Sequence, residues 1–191
     1  MRSKALVRTC FCAMLAAVLC IASPFAIPLG PVPLSLSILA VLLCARIGGA
    51  FCSCAAVLLY LVLGCVGLPV FGGGMAGIGV LLGPTGGYLW SYLPMCVLTG
   101  LLYTFSERKK LPFGKRMLWE LLAGLCGLLI CYFCGTLQYA LIANVPFLAA
   151  ISVCVLPFVL FDLGKLLLAF LLSDRFLRIT QIRRMLDFYV K

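Results

Sequence analysis

The chain has 191 residues, of which 65% are hydrophobic and 10% are charged, and its formal net charge is +10. A soluble domain carries about 25% charged and about 45–50% apolar residues, so this chain has too few charges to cover a water-exposed surface. The composition argues against a soluble enzyme, a nucleic-acid-binding protein and a secreted disulfide-bonded domain. It predicts an integral membrane protein with a single membrane domain over residues 1–191.

The apolar residues form long unbroken stretches rather than the alternating pattern of a membrane β-barrel, and this favours an all-α fold. A helix needs about 20 residues to cross the bilayer, so six helices would leave about 70 residues for loops and tails. A proline-rich turn is expected over residues 28–33. The predicted six-helix bundle has spans at about 5–27, 34–45, 49–68, 88–105, 118–143 and 147–173.

A segment that is both apolar and rich in glycine, residues 70–87, separates the third and fourth predicted spans. Glycine is a poor helix former, and irregular backbone at membrane depth is tolerated only where protein or a cavity covers it. The segment lacks the Gly-Lys-Ser/Thr ending of a phosphate-binding loop. It is consistent either with the wall of a pocket that opens outward or with a packed hairpin.

The basic residues predict the orientation of the bundle. Fourteen of the fifteen Lys and Arg residues fall in the N-terminus, in residues 45–50, in the 106–117 loop and in the C-terminal tail. Cytoplasmic loops of membrane proteins carry an excess of Lys and Arg, so both termini are expected in the cytoplasm. These residues are Arg2, Lys4, Arg8, Arg46, Arg108, Lys109, Lys110, Lys115, Arg116, Arg175, Arg178, Arg183, Arg184 and Lys191.

The fifteenth basic residue, Lys165, lies inside the sixth predicted span, three residues after Asp162. An ionisable side chain near the bilayer centre costs about 2.5–3.5 kcal/mol on insertion scales. Residues three apart share a helix face, so we expect both side chains to point into the bundle and to pair with each other or with a ligand. A ligand site is favoured over a purely structural ion pair, and both interpretations stay open at this point.

No cofactor and no catalytic group is indicated. The chain has no histidine, and most of its twelve cysteines lie in apolar stretches, where a free cysteine behaves as a small hydrophobe. It has no nucleotide-binding motif and no grouped carboxylates for chemistry on lipids. A pocket without an energy source predicts a non-enzymatic binding subunit that depends on partner proteins.

Several motifs then show a resemblance to a known family. Residues 58–61 (LLYL), 67–73 (GLPVFGG) and 82–88 (LGPTGGY) resemble the BioY-type biotin transporters, which are substrate-binding S components of energy-coupling factor (ECF) transporters. Residues 157–165 (PFVLFDLGK) resemble the last-helix signature of that family, and residues 135–138 (GTLQ) resemble its fifth-helix pattern less specifically.

The resemblance implies a six-helix S component in a bacterial cell membrane that binds biotin in an outward-facing pocket. Its energy would come from a transmembrane T component and two ABC-type ATPases. The alanines Ala13 and Ala17 resemble the small-residue surface of S components that contacts the T component. The biotin-binding residues implied by the resemblance are Asp162, Lys165, Tyr88, Thr85, Gly83, Gly86, Gly87 and Gln138.

The proposed chemistry gives the acid and the amine different tasks. Asp162 would accept hydrogen bonds from the ureido N–H groups of biotin, and Lys165 would donate to the ureido oxygen or neutralise the carboxylate. Two alternatives stay open: an S component for a different vitamin, as the resemblance also allows, and a membrane scaffold without transport activity.

Overall fold

The fold is mostly helical in the computed structural model, which describes residues 2–29, 32–109 and 111–179. Four of the basic residues used above, Lys110, Arg183, Arg184 and Lys191, lie outside these ranges. The elements are α1 (Arg2–Ala22), β1 (Ala26–Leu29), β2 (Val32–Ser35), α2 (Ser37–Val66), a 3₁₀ turn (Gly72–Gly74), α3 (Ile78–Leu82), α4 (Gly86–Arg108), α5 (Phe113–Ala143), α6 (Phe147–Cys154) and α7 (Leu156–Leu177).

In the described part of the chain, five helices are long and apolar enough to cross a membrane, namely α1, α2, α4, α5 and α7. Large apolar side chains cover their outward faces, and Leu160 on α7 is 78% exposed. Contiguous exposed apolar surface is rare on soluble monomers, so this surface is the one expected to face lipid. The first helix ends at Ala22 rather than near Ile27 as predicted.

The second and third predicted spans both fall within α2, whose backbone breaks at Gly49. Gly49 has φ 65° and ψ −173°, a backbone conformation with positive φ that residues other than glycine rarely adopt. Helix α4 packs tightly against the break, because a Cβ added at Gly100 would lie 2.6 Å from the Ala50 nitrogen. Ser37 and Tyr60, which would lie about 34 Å apart in one straight helix, both hydrogen-bond to the Ser23 hydroxyl. The chain therefore folds back at Gly49, within the turn predicted over residues 45–50.

Two short paired strands, β1 and β2, cover the segment where a proline-rich turn was expected over residues 28–33, so the mainly helical fold contains a β-hairpin that was not predicted. Strands β1 and β2 pair antiparallel, with Ala26 opposite Ser35 and Pro28 opposite Pro33. Proline lacks a backbone donor and is tolerated on edge strands. A sheet of two strands has only edge strands, so both prolines can be accommodated.

The sixth predicted span, residues 147–173, is divided into α6 and α7 by Val155, which has non-helical φ −122° and ψ −54°. Pro157 follows in the first turn of α7. Proline fits a first turn because its missing N–H has no partner there anyway, whereas deeper in a continuous helix it would remove a hydrogen bond. The break therefore starts a new helix just before Asp162.

A buried ionic network, here called the arginine cluster, ties α2, α5 and α7 together. Arg46 on α2 donates through Nε to Oε2 of Glu120 at 2.6 Å, and the two side chains are 4% and 2% exposed. Asp174 on α7 accepts hydrogen bonds from Arg116 and from Arg178. Asp162, the acid singled out in the sequence, lies twelve residues before Asp174 on α7, about 18 Å away along the helix axis.

Candidate functional site

A cavity of about 600 Å³, counted with its opening to solvent, lies between the hairpin, the glycine-rich segment and helices α2, α4, α5 and α7. Small-molecule sites usually have mainly apolar walls with a few polar groups. The polar side chains on the wall come from five elements or their flanks. The polar lining residues are Ser35, Ser37, Thr85, Tyr88, Tyr92, Tyr132, Asp162 and Lys165.

The acid and the amine singled out in the sequence both line this cavity. Lys165 Nζ lies 2.8 Å from Asp162 Oδ1 and donates a second hydrogen bond to the Ser35 carbonyl oxygen at 2.7 Å. The side chains are 10% and 3% exposed, respectively. The first turns of α7 thus place one anion and one cation beside each other in a largely apolar space, and the lysine also holds the end of the hairpin.

The second carboxylate oxygen of Asp162 also has a partner. The Tyr132 hydroxyl on α5 donates a hydrogen bond to Asp162 Oδ2 at 2.7 Å. Hydrogen bonds to charged groups are stronger than those between neutral groups. The site therefore offers an oriented acceptor, Asp162, next to an oriented donor, Lys165, which suits a small ligand that carries both N–H and C=O groups.

Thr85 and Tyr88 line the same cavity. The Tyr88 hydroxyl lies 3.3 Å from Thr136 Oγ1 and donates to the Cys154 carbonyl oxygen at 3.3 Å. Its ring rests on Gly135, because a Cβ at that position would overlap the ring atoms. The glycine of the GTLQ motif therefore makes room for a wall of the cavity.

The remaining predicted binding residues, Gly83, Gly86, Gly87 and Gln138, are not among the residues that line the cavity. Gln138 Nε2 donates to the carbonyl oxygen of Leu81 at 3.0 Å and to that of Gly83 at 2.8 Å. A Cβ at Gly86 would overlap the Leu81 carbonyl oxygen. These residues hold the end of the glycine-rich segment against α5, directly behind the cavity wall.

The two alanines predicted to contact a partner lie elsewhere. Ala13 and Ala17 are on the exposed face of α1, opposite the face that packs Leu15 and Leu19 into the core. They take no part in the cavity.

Some residues of the site were not indicated by the sequence reading. Tyr132, with Thr136 and Tyr139, forms a polar stripe at spacings of four and three residues in an apolar helix, and this periodicity is a usable signal. Ser35 accepts the Lys165 hydrogen bond through its backbone carbonyl. Every residue has such a group, so the residue type does not reveal this contact.

The contact between Gly135 and Tyr88 can be tested by filling it. Gly135→Ala is expected to lower the free energy of unfolding by about 1–3 kcal/mol, the usual cost of overpacking, because the Tyr88 ring must leave its place. The matched control is Gly164→Ala, since nothing lies within 4 Å of a Cβ at that exposed helical glycine. The control should be neutral or stabilising by up to about 1 kcal/mol. Unfolding titrations in detergent would measure both, and equal effects would contradict the assignment.

Comparison with known proteins supplies the family. The model of the BioY family matches residues 1–182. A biotin transporter BioY of Thermotoga maritima is 40% identical over 149 residues, covering 78% of this chain and 83% of that protein. Biotin transporter BioY2 of Lactococcus lactis is 37% identical over 153 residues, 80% of each chain.

A solved structure has a similar fold. The crystal structure of the S-component for biotin from an ECF-type ABC transporter superposes with a TM-score of 0.85 at 25% identity, covering 100% of this chain and 99% of that one. The resemblance inferred from the motifs is thus confirmed over nearly the whole length. The chain belongs to the BioY family.

Proposed function

We propose that this protein is the substrate-binding S component of a biotin transporter and takes up biotin across the cell membrane. The observation that carries the proposal is the buried pair of Asp162 and Lys165 in the wall of an otherwise mainly apolar cavity. The BioY family membership and the similarity to a biotin S-component structure support the same substrate. The activity is transport without catalysis.

Biotin matches the chemistry of the cavity wall. Its thiophane ring and aliphatic chain need apolar contacts, which Ile38, Phe71 and Phe158 can supply. Its ureido group carries N–H donors and a C=O acceptor, which complement Asp162 and Lys165. Apolar walls with a few placed polar groups are the usual design of small-molecule sites.

The other proposed binding residues have two roles. Thr85 and Tyr88 would contact the ligand from the cavity wall. Gly83, Gly86, Gly87 and Gln138 would act one layer behind, by fixing the shape and position of the glycine-rich segment.

We further propose six membrane-crossing helices with both termini in the cytoplasm. The break at Gly49 supports counting the two parts of α2 as separate helices, joined directly rather than by a loop, with the glycine-rich segment between the third and fourth. Arg46, Arg116 and Arg178 converge at one end of the bundle, as the positive-inside rule requires for a cytoplasmic face. The cavity at the other end would then open to the outside.

The energy for uptake would come from partners, a T component and two ABC-type ATPases, in a bacterial cell membrane. The sequence carries no nucleotide-binding motif of its own. Ala13 and Ala17 present small side chains on the exposed face of α1, and small residues let another helix approach closely. We propose this face as the contact with the T component.

A binding titration tests the proposal directly. Purified protein in detergent is expected to bind radiolabelled biotin saturably, with unlabelled thiamine, which has neither a ureido group nor a carboxylate, failing to compete. Cells that lack their own biotin uptake should accumulate biotin when they express this chain with an ECF module. Absence of saturable binding would refute the proposed function, and competition by another vitamin would reassign the substrate.

A further inference from the structure

The hydrogen bond between Tyr132 and Asp162 suggests how the acid of the site is held in place. The Asp162 side chain is 3% exposed and uses one carboxylate oxygen for Lys165, at 2.8 Å, and the other for the Tyr132 hydroxyl, at 2.7 Å. Within α7, rotation about the side-chain bonds would otherwise leave the carboxylate several orientations. Partners on both oxygens fix its plane.

The two partners of the carboxylate approach from different sides of the cavity. Lys165 belongs to the same helix as Asp162, whereas Tyr132 belongs to α5, so the tyrosine links the acid to a second helix of the bundle. Both Tyr132 and Asp162 line the cavity. A carboxylate has about four lone-pair positions, so two remain for a ligand after these bonds are made.

We propose that Tyr132 is a positioning residue that orients the Asp162 carboxylate toward the bound ligand and thereby sets the preference of the site for a ligand with N–H donors. This inference rests on the proposed function, because it concerns the same cavity. A buried group held by a second layer of hydrogen bonds keeps its geometry when the ligand binds, and this preorganisation increases affinity.

The variant that tests the inference is Tyr132→Phe, which keeps the ring and removes the hydroxyl. The affinity for biotin is expected to fall about tenfold, the loss that corresponds to one hydrogen bond to a charged group. Tyr139→Phe is the matched control, because Tyr139 lies two turns further along α5 and does not line the cavity. Unchanged affinity in Tyr132→Phe, with wild-type protein binding biotin, would overturn the inference and leave the proposed function intact.

A double-mutant cycle separates positioning from independent contact. If Tyr132 acts through Asp162, adding Tyr132→Phe to Asp162→Asn should weaken binding by less than about threefold further, whereas independent contacts would give multiplied effects. Multiplied effects would overturn the positioning role. Both proteins in this comparison carry Asp162→Asn. The comparison therefore also applies if Tyr132→Phe alone lowers the amount of folded protein.

Ligand analogues provide a readout that a general loss of stability would not change. The analogues are 2-iminobiotin, altered at the ureido group, and biotinamide, altered at the carboxylate. The analogue whose affinity relative to biotin changes in Asp162→Asn should change in the same direction in Tyr132→Phe, and the other ratio should stay constant. A Tyr132→Phe variant that shifts the opposite analogue, or neither, would refute the inference.

Discussion

Asp162→Asn and Lys165→Met are each expected to weaken biotin binding at least about 30-fold, because each removes a charged group proposed to bond to the ligand, and losing one partner of a buried charged contact across an interface costs about 2–5 kcal/mol. Asparagine keeps the shape of the acid but leaves Lys165 without a counter-charge. Methionine keeps the aliphatic stem of the lysine and removes the hydrogen bonds to Asp162 and to the Ser35 carbonyl. Equilibrium titration of purified variants would measure the change.

The double variant Asp162→Asn/Lys165→Met decides between a ligand site and a structural pair. Removing both charges eliminates the unpaired buried charge, so the stability of the protein should recover relative to the single variants. Binding should not recover, since both ligand contacts are gone. A double variant with near-wild-type affinity would show that the pair only braces the helices.

Lys115→Met is the control for the loss of a positive charge. Lys115 is exposed in the first turn of α5 and lies outside the cavity. The substitution lowers the net charge by one, as Lys165→Met does, but biotin affinity should stay within about twofold of the wild type. An equally large loss in both variants would mean that the effect depends on overall charge.

The sequence was sufficient to predict the class of protein, its family and the location of its most unusual charges. Lipid imposes a strict rule, since long apolar stretches must become helices when no water is present to satisfy the backbone. The same rule makes Asp162 and Lys165 conspicuous, because charged residues inside a span are costly and need a partner. Both observations depend on local composition and do not require knowledge of the tertiary fold.

The elements that were not predicted from the sequence depend on tertiary packing. The β-hairpin contains Pro28 and Pro33, which usually argue against a strand, yet Lys165 fixes its end through the Ser35 carbonyl. The division of the last span at Val155 follows from where α7 can begin. Residue types alone show neither the Lys165 hydrogen bond nor the helix break at Val155.

The interactions that build the site and brace the bundle join residues far apart in the sequence. Tyr132 and Asp162 are 30 positions apart, and Arg46 and Glu120 are 74 positions apart. A single sequence gives no information on such pairings. The polar stripe that includes Tyr132 would have identified the face of α5, but not its partner.

The arginine cluster provides the second prediction with a large effect, and this one concerns stability. Arg46→Met and Glu120→Gln are each expected to lower the free energy of unfolding by about 3–5 kcal/mol, because each leaves a buried charge without its main partner. Arg46 loses a contact of 2.6 Å to Glu120, and Glu120 also accepts a hydrogen bond from Ser106. Unfolding titrations in detergent would measure the change.

The double variant Arg46→Met/Glu120→Gln should be destabilised by less than the sum of the single variants, because neither charge then remains unpaired. Arg178→Met is the control: its ion pair with Asp174 has a similarly short distance, 2.7 Å, but the arginine is 62% exposed. Exposed pairs contribute about 0–1 kcal/mol, so this variant should stay close to the wild type. Additive single effects, or an equal loss in Arg178→Met, would contradict burial as the cause. Biotin affinity of the folded fraction should stay within about twofold, since the cluster lies about 18 Å from Asp162 along α7.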